Sequence, residues 1–318
     1  MKLNIVLDNA EDSRNISGIH NANLKMLEEI YNIQIDIHGD QVLTDTDNAI
    51  ILAKLEDIFQ IMKFMSLNHQ AISPRDVIYI ENIVSIGKKM EYMNFLSNRH
   101  PLCHTLHNKP IYAKTLKQDE YLKCLKSKDL VFSIGAAGTG KTYLAVCYAV
   151  AELKKGNYEK IILTRPAVEA GESLGFLPGD LKEKVDPYLR PLYDALYEML
   201  GMEHAEALIE KQIIEIAPLA YMRGRTLENA FIILDEAQNA TIDQLKMFLT
   251  RMGFHSKMVV TGDISQIDLP NQKKSGLKFC ADLLRDLPEV GDIVFDYFDV
   301  VRHPLVGKII EKFENANK

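Results

Sequence analysis

The sequence predicts an α/β fold on a parallel sheet, preceded by a small α+β unit, and three observations carry that expectation. Short apolar runs such as 130–134 and 231–234 end in polar or acidic residues, as buried parallel strands facing a ligand crevice do. The first of them leads directly into a glycine-rich loop and then a helix-forming stretch. The first hundred residues hold no such loop, and alternate strand-like with helix-like pieces.

The elements follow in order. Residues 2–7 alternate and read as a strand. Residues 16–30 place Leu24, Leu27 and Ile30 at helical spacing. Ile33, Ile35 and Ile37 alternate with polar neighbours, the pattern of a half-buried strand. Residues 48–67 form a long helical pattern with Ile51, Leu55, Ile58, Ile61, Met62 and Met65 on one broad face. Ser73-Pro74 supplies an N-cap and a first-turn proline for a further helix. These pieces make a small α+β domain over residues 1–97. Residues 98–114 lack a period, contain Pro101 and Pro110, and read as a linker to a second domain over 115–318. His100, Cys103, His104 and His107 crowd too closely in that linker to wrap a tetrahedral metal, so packing is expected there.

Composition bounds the function classes. With 47% hydrophobic and 25% charged residues the chain is an ordinary globular protein, which excludes collagen-like, low-complexity and disordered readings. A net charge of -7 argues against attachment to nucleic acid by bulk charge, although a local basic groove stays open. Four scattered cysteines without a CxxC pair suit reduced thiols. Apolar runs fall short of the ~18 residues that span a bilayer, and the start lacks a signal-peptide core. A cytoplasmic protein without membrane partners is the expectation.

Gly135-Ala136-Ala137-Gly138-Thr139-Gly140-Lys141-Thr142 satisfies the phosphate-loop pattern in its strand–loop–helix setting, with Tyr143 opening the helix behind it. Glycines let successive backbone N–H groups face phosphate oxygens, and the helix start adds its positive dipole end. Lys141 is placed to reach the β/γ-phosphates and the Thr142 hydroxyl to ligate Mg²⁺. Residues 135–143 are therefore the expected nucleotide-binding set. Asp235 and Glu236 end a later apolar run: Asp235 suits Mg²⁺, held through water, and Glu236 is the natural base to polarise an attacking water. Such a base works against a kinase. Asn271-Gln272-Lys273-Lys274 lacks the aspartate of a guanine-selecting segment, so ATP hydrolysis is favoured over GTP hydrolysis. Residues 257–261 read as another strand, after which Gln266 can orient water, although an ordinary Gly-Asp turn is the competing reading. Further strands are expected at 160–164, 212–216 and 293–295.

Residues 130–305 resemble the PhoH-like ATPases, relatives of the first motor domain of superfamily 1 helicases. The resemblance rests on residues 135–142, on Thr164-Arg165-Pro166-Ala167-Val168-Glu169-Ala170-Gly171-Glu172 and on Gly175-Phe176-Leu177-Pro178-Gly179-Asp180. It continues through Met222-Arg223-Gly224-Arg225-Thr226-Leu227, Asp235-Glu236-Ala237-Gln238-Asn239, Val260-Thr261-Gly262-Asp263 and Val301-Arg302-His303-Pro304. It implies a RecA-like P-loop NTPase core with a parallel sheet, preceded by a small α+β KH-like domain.

It also implies roles. Gln118 occupies the place of an adenine-edge contact, and Arg302 that of an arginine finger or sensor. Thr164 and Arg165 sit at a strand tip where helicase-like proteins touch a nucleic-acid backbone, and Arg223 and Arg225 flank a glycine just before the acidic strand, a cationic patch suited to phosphate contact; salt bridges inside the fold are the standing alternative for each. In the KH-like part, Gly18-Ile19-His20-Asn21 lacks the second glycine of an RNA-clamping loop, so RNA and protein contact both stand for that domain. The implied cofactors are ATP and Mg²⁺. The implied partners are single-stranded or structured RNA, an RNA-processing protein and further copies of the chain, in a ring of about six, because one motor core needs a neighbour to complete a shared site. The segment 170–200 resembles an insertion that docks on a neighbour or a substrate strand. The function implied is Mg²⁺-dependent ATP hydrolysis coupled to binding, remodelling or unwinding of RNA. The alternative is an ATP-gated assembly or adaptor protein that does not move nucleic acid.

Overall fold

The computed structural model describes residues 1–166, 181–269, 274–296 and 299, without the side chains of 181–188 and 191. Contacts divide these into two compact units, residues 1–99 and residues 100–300.

The first unit runs β1 (Lys2–Val6), α1 (Ala10–Ser17), α2 (Ala22–Tyr31), β2 (Ile35–His38), β3 (Gln41–Thr44), α3 (Ala49–Leu67), α4 (Pro74–Ser85) and α5 (Lys89–Ser97). Its strands form an antiparallel sheet in the order β1-β3-β2. Locally signalled elements lie where expected. Asn48 accepts the backbone N–H groups of Ile50 and Ile51 to start α3. Ser73 and Asp76 form a capping box at the head of α4.

Two features differ from the sequence reading. β3 was not anticipated, because its four residues carry too short an alternation to stand out. The single helix expected over 16–30 is broken after Ser17 by Gly18 and a 3₁₀ turn, Ile19–Asn21. The cause is Asn23, fully buried, whose amide donates to Asn15 O at 3.3 Å, Ile16 O at 3.1 Å and Ile72 O at 3.1 Å. It thereby satisfies carbonyls that the end of α1 leaves unpaired.

The second unit begins with a hairpin of β4 (Cys103–His104) and β5 (Pro110–Ile111). It continues with α6 (Leu116–Ser127), β6 (Leu130–Ile134), α7 (Lys141–Lys154), β7 (Lys160–Arg165), α8 (Leu181–Leu200) and α9 (Met202–Glu210). β8 (Ile214–Pro218), β9 (Ala230–Leu234), α10 (Ile242–Leu249), β10 (Lys257–Gly262), α11 (Leu277–Leu284) and β11 (Val290–Val294) complete it. The stretch read as a linker is thus ordered from residue 100 onward: Leu102 and Cys103 pack on this unit's core, and Leu106 N bonds to Glu198 O.

Among the described residues six strands form a wholly parallel sheet in the order β11-β6-β10-β9-β7-β8. Its central strands β6, β9 and β10 are buried along their whole length, which requires cover on both faces. Side chains alternate accordingly. Val131, Ile161, Leu163, Phe231, Ile233 and Val259 face a layer of α6, α7, α8 and α9. Phe132, Ile162, Ile232, Leu234, Met258 and Val260 face α10 and α11. α8 runs through Pro187 and Pro191, and its Leu189, Leu192 and Leu196 are buried in the unit's own core. That part of the segment 170–200 therefore packs within its own unit, against α7 and α9; residues 167–180 lie outside the described set. No helix among the described residues is long and apolar enough to cross a membrane.

Phe231 is fully buried between Tyr148 and Tyr158, with ring centroids 5.8 and 5.4 Å away. Phe231→Ala should therefore cost about 3–5 kcal/mol of unfolding free energy. Urea denaturation followed by circular dichroism checks this, and a loss under about 1 kcal/mol would contradict the packing described.

Candidate functional site

The carboxyl ends of β6, β10 and β9 lie side by side, so the residues that follow them share one crevice. After Ile134 the chain wraps from Gly135 to Gly140 and enters α7 at Lys141. Gly140 caps α7 with φ 83°, a left-handed conformation that a side chain would strain. Thr139 is fully buried, and its hydroxyl donates to Ala136 O at 3.0 Å. Lys141 Nζ donates to Gly135 O at 2.6 Å and to Ala136 O at 2.8 Å, so the ammonium sits inside the curl of the loop.

Three oxygens converge behind it. Thr142 Oγ1 donates to Asp235 Oδ1 at 2.6 Å, Thr261 Oγ1 donates to the same oxygen at 2.7 Å, and the two hydroxyls are 3.3 Å apart. Asp235 is almost fully buried and anchored through its backbone N–H to Thr164 O at 2.9 Å. All three donors are hard oxygens, the ligand chemistry that suits Mg²⁺. Thr261 is the member that the sequence reading missed, and its one signal was a hydroxyl residue ending an apolar run.

A second hydrogen-bond chain crosses the strand tips. Glu236 Oε1 accepts from Arg165 Nη2 at 2.5 Å, and Glu236 Oε2 accepts from the buried amide of Gln238. Gln238 Oε1 in turn accepts the Asp263 N–H at 3.0 Å. Asp263 Oδ2 accepts Ala137 N–H at 3.0 Å and Gln266 Nε2 at 2.8 Å, which ties the glycine-rich loop to the tip of β10. Burial pushes the Asp263 carboxyl up, but hydrogen bonds from Ser265 and Ala137 and the nearby Lys141 charge outweigh it, and the group lies below its usual range. Gly262 is needed here for space: a Cβ would stand 2.4 Å from Leu277 Cδ2 and 2.8 Å from Gln238 Oε1. Gln238 and Asp263 were quoted in the sequence motifs without a role, because only the fold brings them together.

These groups surround a cavity of about 230 Å³ lined by Lys141, Thr142, Asp235, Glu236, Asp263 and Gln266 among others, with Tyr143 at its edge. Gln118 is buried beside it. Its Oε1 accepts Lys114 N–H at 2.7 Å and its Nε2 donates to Thr139 O at 3.0 Å, so it braces the loop.

The remaining candidates separate. Thr164 is fully buried, which removes it from any surface contact with a polynucleotide. Arg225 forms a two-pronged pair with Glu215 at 2.6 and 2.7 Å, the salt-bridge alternative, and that hydrogen bonding raises its pKa further. Arg223 is exposed. Arg302 lies outside the described residues.

The family model described as PhoH-like protein matches residues 110–314. A PhoH-like protein of Bacillus subtilis (strain 168) is 50% identical over 318 residues, covering 100% of this chain and 98% of its own length. A PhoH-like protein of Synechocystis sp. is 45% identical over 311 residues, covering 98% of this chain and 94% of its own. Among solved structures, the Hef helicase domain of Pyrococcus furiosus is 14% identical, with a TM-score of 0.35 over 58% of this chain and 38% of that one. With a family match over most of the second unit and relatives alike along nearly the whole length, the chain belongs to the PhoH-like protein family.

Proposed function

We propose that this P-loop NTPase hydrolyses ATP with Mg²⁺ in the crevice above β6, β9 and β10, and couples hydrolysis to binding of single-stranded RNA. The observation that carries the reading is the convergence of Thr142, Thr261 and Asp235 within hydrogen-bond distance behind the glycine-rich loop. Those residues would hold Mg²⁺, which when bound supplies neutralisation of charge on the phosphate oxygens.

The chain's own groups do the rest. The loop N–H groups and the head of α7 bind phosphate oxygens. Lys141 exchanges the Gly135 and Ala136 carbonyls for the phosphates, a charge-assisted contact in place of neutral ones. Glu236, which lines the cavity, accepts a hydrogen bond from the attacking water and takes its proton. Gln266, held by Asp263 and also lining the cavity, orients that water.

Gln118 supports adenine as the base. Each of its amide atoms makes one hydrogen bond within the protein and has the capacity for a second, one as acceptor and one as donor. That pair matches the N6–H and N7 edge of adenine. Arg302 completes the site from a neighbouring copy in this reading, within a homo-oligomer such as a ring of six. The KH-like character of the first unit belongs to the same proposal.

Four outcomes test it. Lys141→Ala should abolish binding of a fluorescent ATP analogue. Glu236→Gln should keep that binding and lower phosphate release by at least about 100-fold. Retained hydrolysis in Glu236→Gln would remove the carboxylate from the base role. Thr261→Val should raise the Mg²⁺ concentration needed for half-maximal rate about tenfold, given the usual effect of groups that orient metal ligands. Gln118→Ala should reduce the preference for ATP over GTP by about tenfold, within the range for a two-pronged base contact; an unchanged ratio in competition assays would assign Gln118 to loop bracing alone.

A further inference from the structure

We propose that Arg165 is a latch on Glu236: a positioning residue that holds the carboxylate in place until a phosphate of single-stranded RNA draws the guanidinium away. The inference rests on the hydrolysis reading of Glu236 and adds its regulation.

The geometry is specific. Arg165 ends β7, and its guanidinium lies 2.5 Å from Glu236 Oε1 and 3.8 Å from Asp235 Oδ2. Glu236 lines the phosphate cavity and Arg165 does not, so the guanidinium grips the carboxylate from outside the cavity. Arg165 therefore acts through Glu236. With Gln238 on the other oxygen, both carboxylate oxygens are held.

On the flank of β7 away from β9, the Arg165 backbone pairs in register with Pro218 of β8. The chain continues from Pro218 through the 3₁₀ turn Leu219–Met222 into Arg223. Tyr221 on that turn is 51% exposed, and Arg223 is exposed beside it. An exposed aromatic residue two positions before an exposed arginine suits a single-stranded polynucleotide, whose bases stack and whose phosphates pair. Phosphate is also the anion best able to take a guanidinium from a carboxylate, because it accepts the same planar fork. The Arg165–Glu236 pair is partly exposed, at 18% and 36%, so its displacement is affordable in a way that a deeply buried pair would not be.

The test measures phosphate release at varied ATP, with and without an oligouridylate, for wild type, Arg165→Ala and Arg165→Lys. Binding of the fluorescent ATP analogue serves as the folding control. The expected result is that oligouridylate raises the wild-type kcat, while Arg165→Ala shows an RNA-free kcat about fivefold above wild type, as loss of a modest ion pair gives. KM for ATP should be unchanged, and oligouridylate should add nothing further to this variant. A structural role for Arg165 would not raise kcat. An RNA-free rate at or below wild type, or a full RNA response in Arg165→Ala, overturns the latch. If the alanine variant loses analogue binding, Arg165→Lys decides: a raised RNA-free rate supports the latch, and an unchanged or lower one overturns it. Wild-type hydrolysis indifferent to oligouridylate overturns the RNA arm while sparing the hydrolysis reading. Analogue binding without any phosphate release by wild type removes hydrolysis itself, and the latch with it.

Discussion

The site depends on one carboxylate, Asp235, being shared by a helix head and two neighbouring strand ends. It accepts hydroxyls from Thr142 at the head of α7 and Thr261 on β10, lies 3.8 Å from the Arg165 guanidinium on β7, and is fixed by a backbone bond to Thr164. Sharing of this kind requires strands that run in one direction and stay in register, because an antiparallel neighbour would carry its terminal residue to the opposite end. The burial of β6, β9 and β10 along their length supplies that constraint, since apolar faces above and below leave the strand ends as the place where polar groups gather.

Charge is distributed to suit this arrangement. Of the net -7, the first hundred residues carry -5. The second part is nearly neutral overall, yet places adjacent acids at one strand tip and an arginine, Arg165, against them. Two neighbouring carboxylates repel, and Arg165 offsets that repulsion in the folded chain. A net charge is therefore a poor guide to partners here, whereas the placement of individual guanidinium groups is informative: Arg225 is committed to Glu215, while Arg165 touches groups that line the cavity.

Much of this was legible in the sequence wherever the signal is local. The glycine-rich loop, the apolar run ending in Asp235 and Glu236, the Asn48 cap and the Ser73-Pro74 start are each encoded within a few residues. What escaped depends on partners distant in sequence. The break after Ser17 is made by Asn23 reaching back to α1 and across to Ile72. The hairpin at 103–111 is held by the core it packs on. Gln238, Asp263 and Thr261 acquire a role only once β9 and β10 lie side by side, and the burial of Thr164 follows from its place inside the sheet, where a reading of strand tips had put it on the surface.

Glu236 shows how such distant partners bear on chemistry. Its backbone is left-handed, φ 53° and ψ 39°, a conformation that costs a residue with a side chain about 1–2 kcal/mol. Strain of that size persists only where neighbouring bonds over-determine it. Here the bonds come from Gln238, itself fixed by the Asp263 N–H, and from Arg165. The two supports differ in kind. Gln238 is fully buried and reaches through Asp263 to the Ala137 N–H, so it is tied to the glycine-rich loop. Arg165 comes from the opposite strand and from outside the cavity. The carboxylate is thus suspended between the glycine-rich loop and the tip of β7.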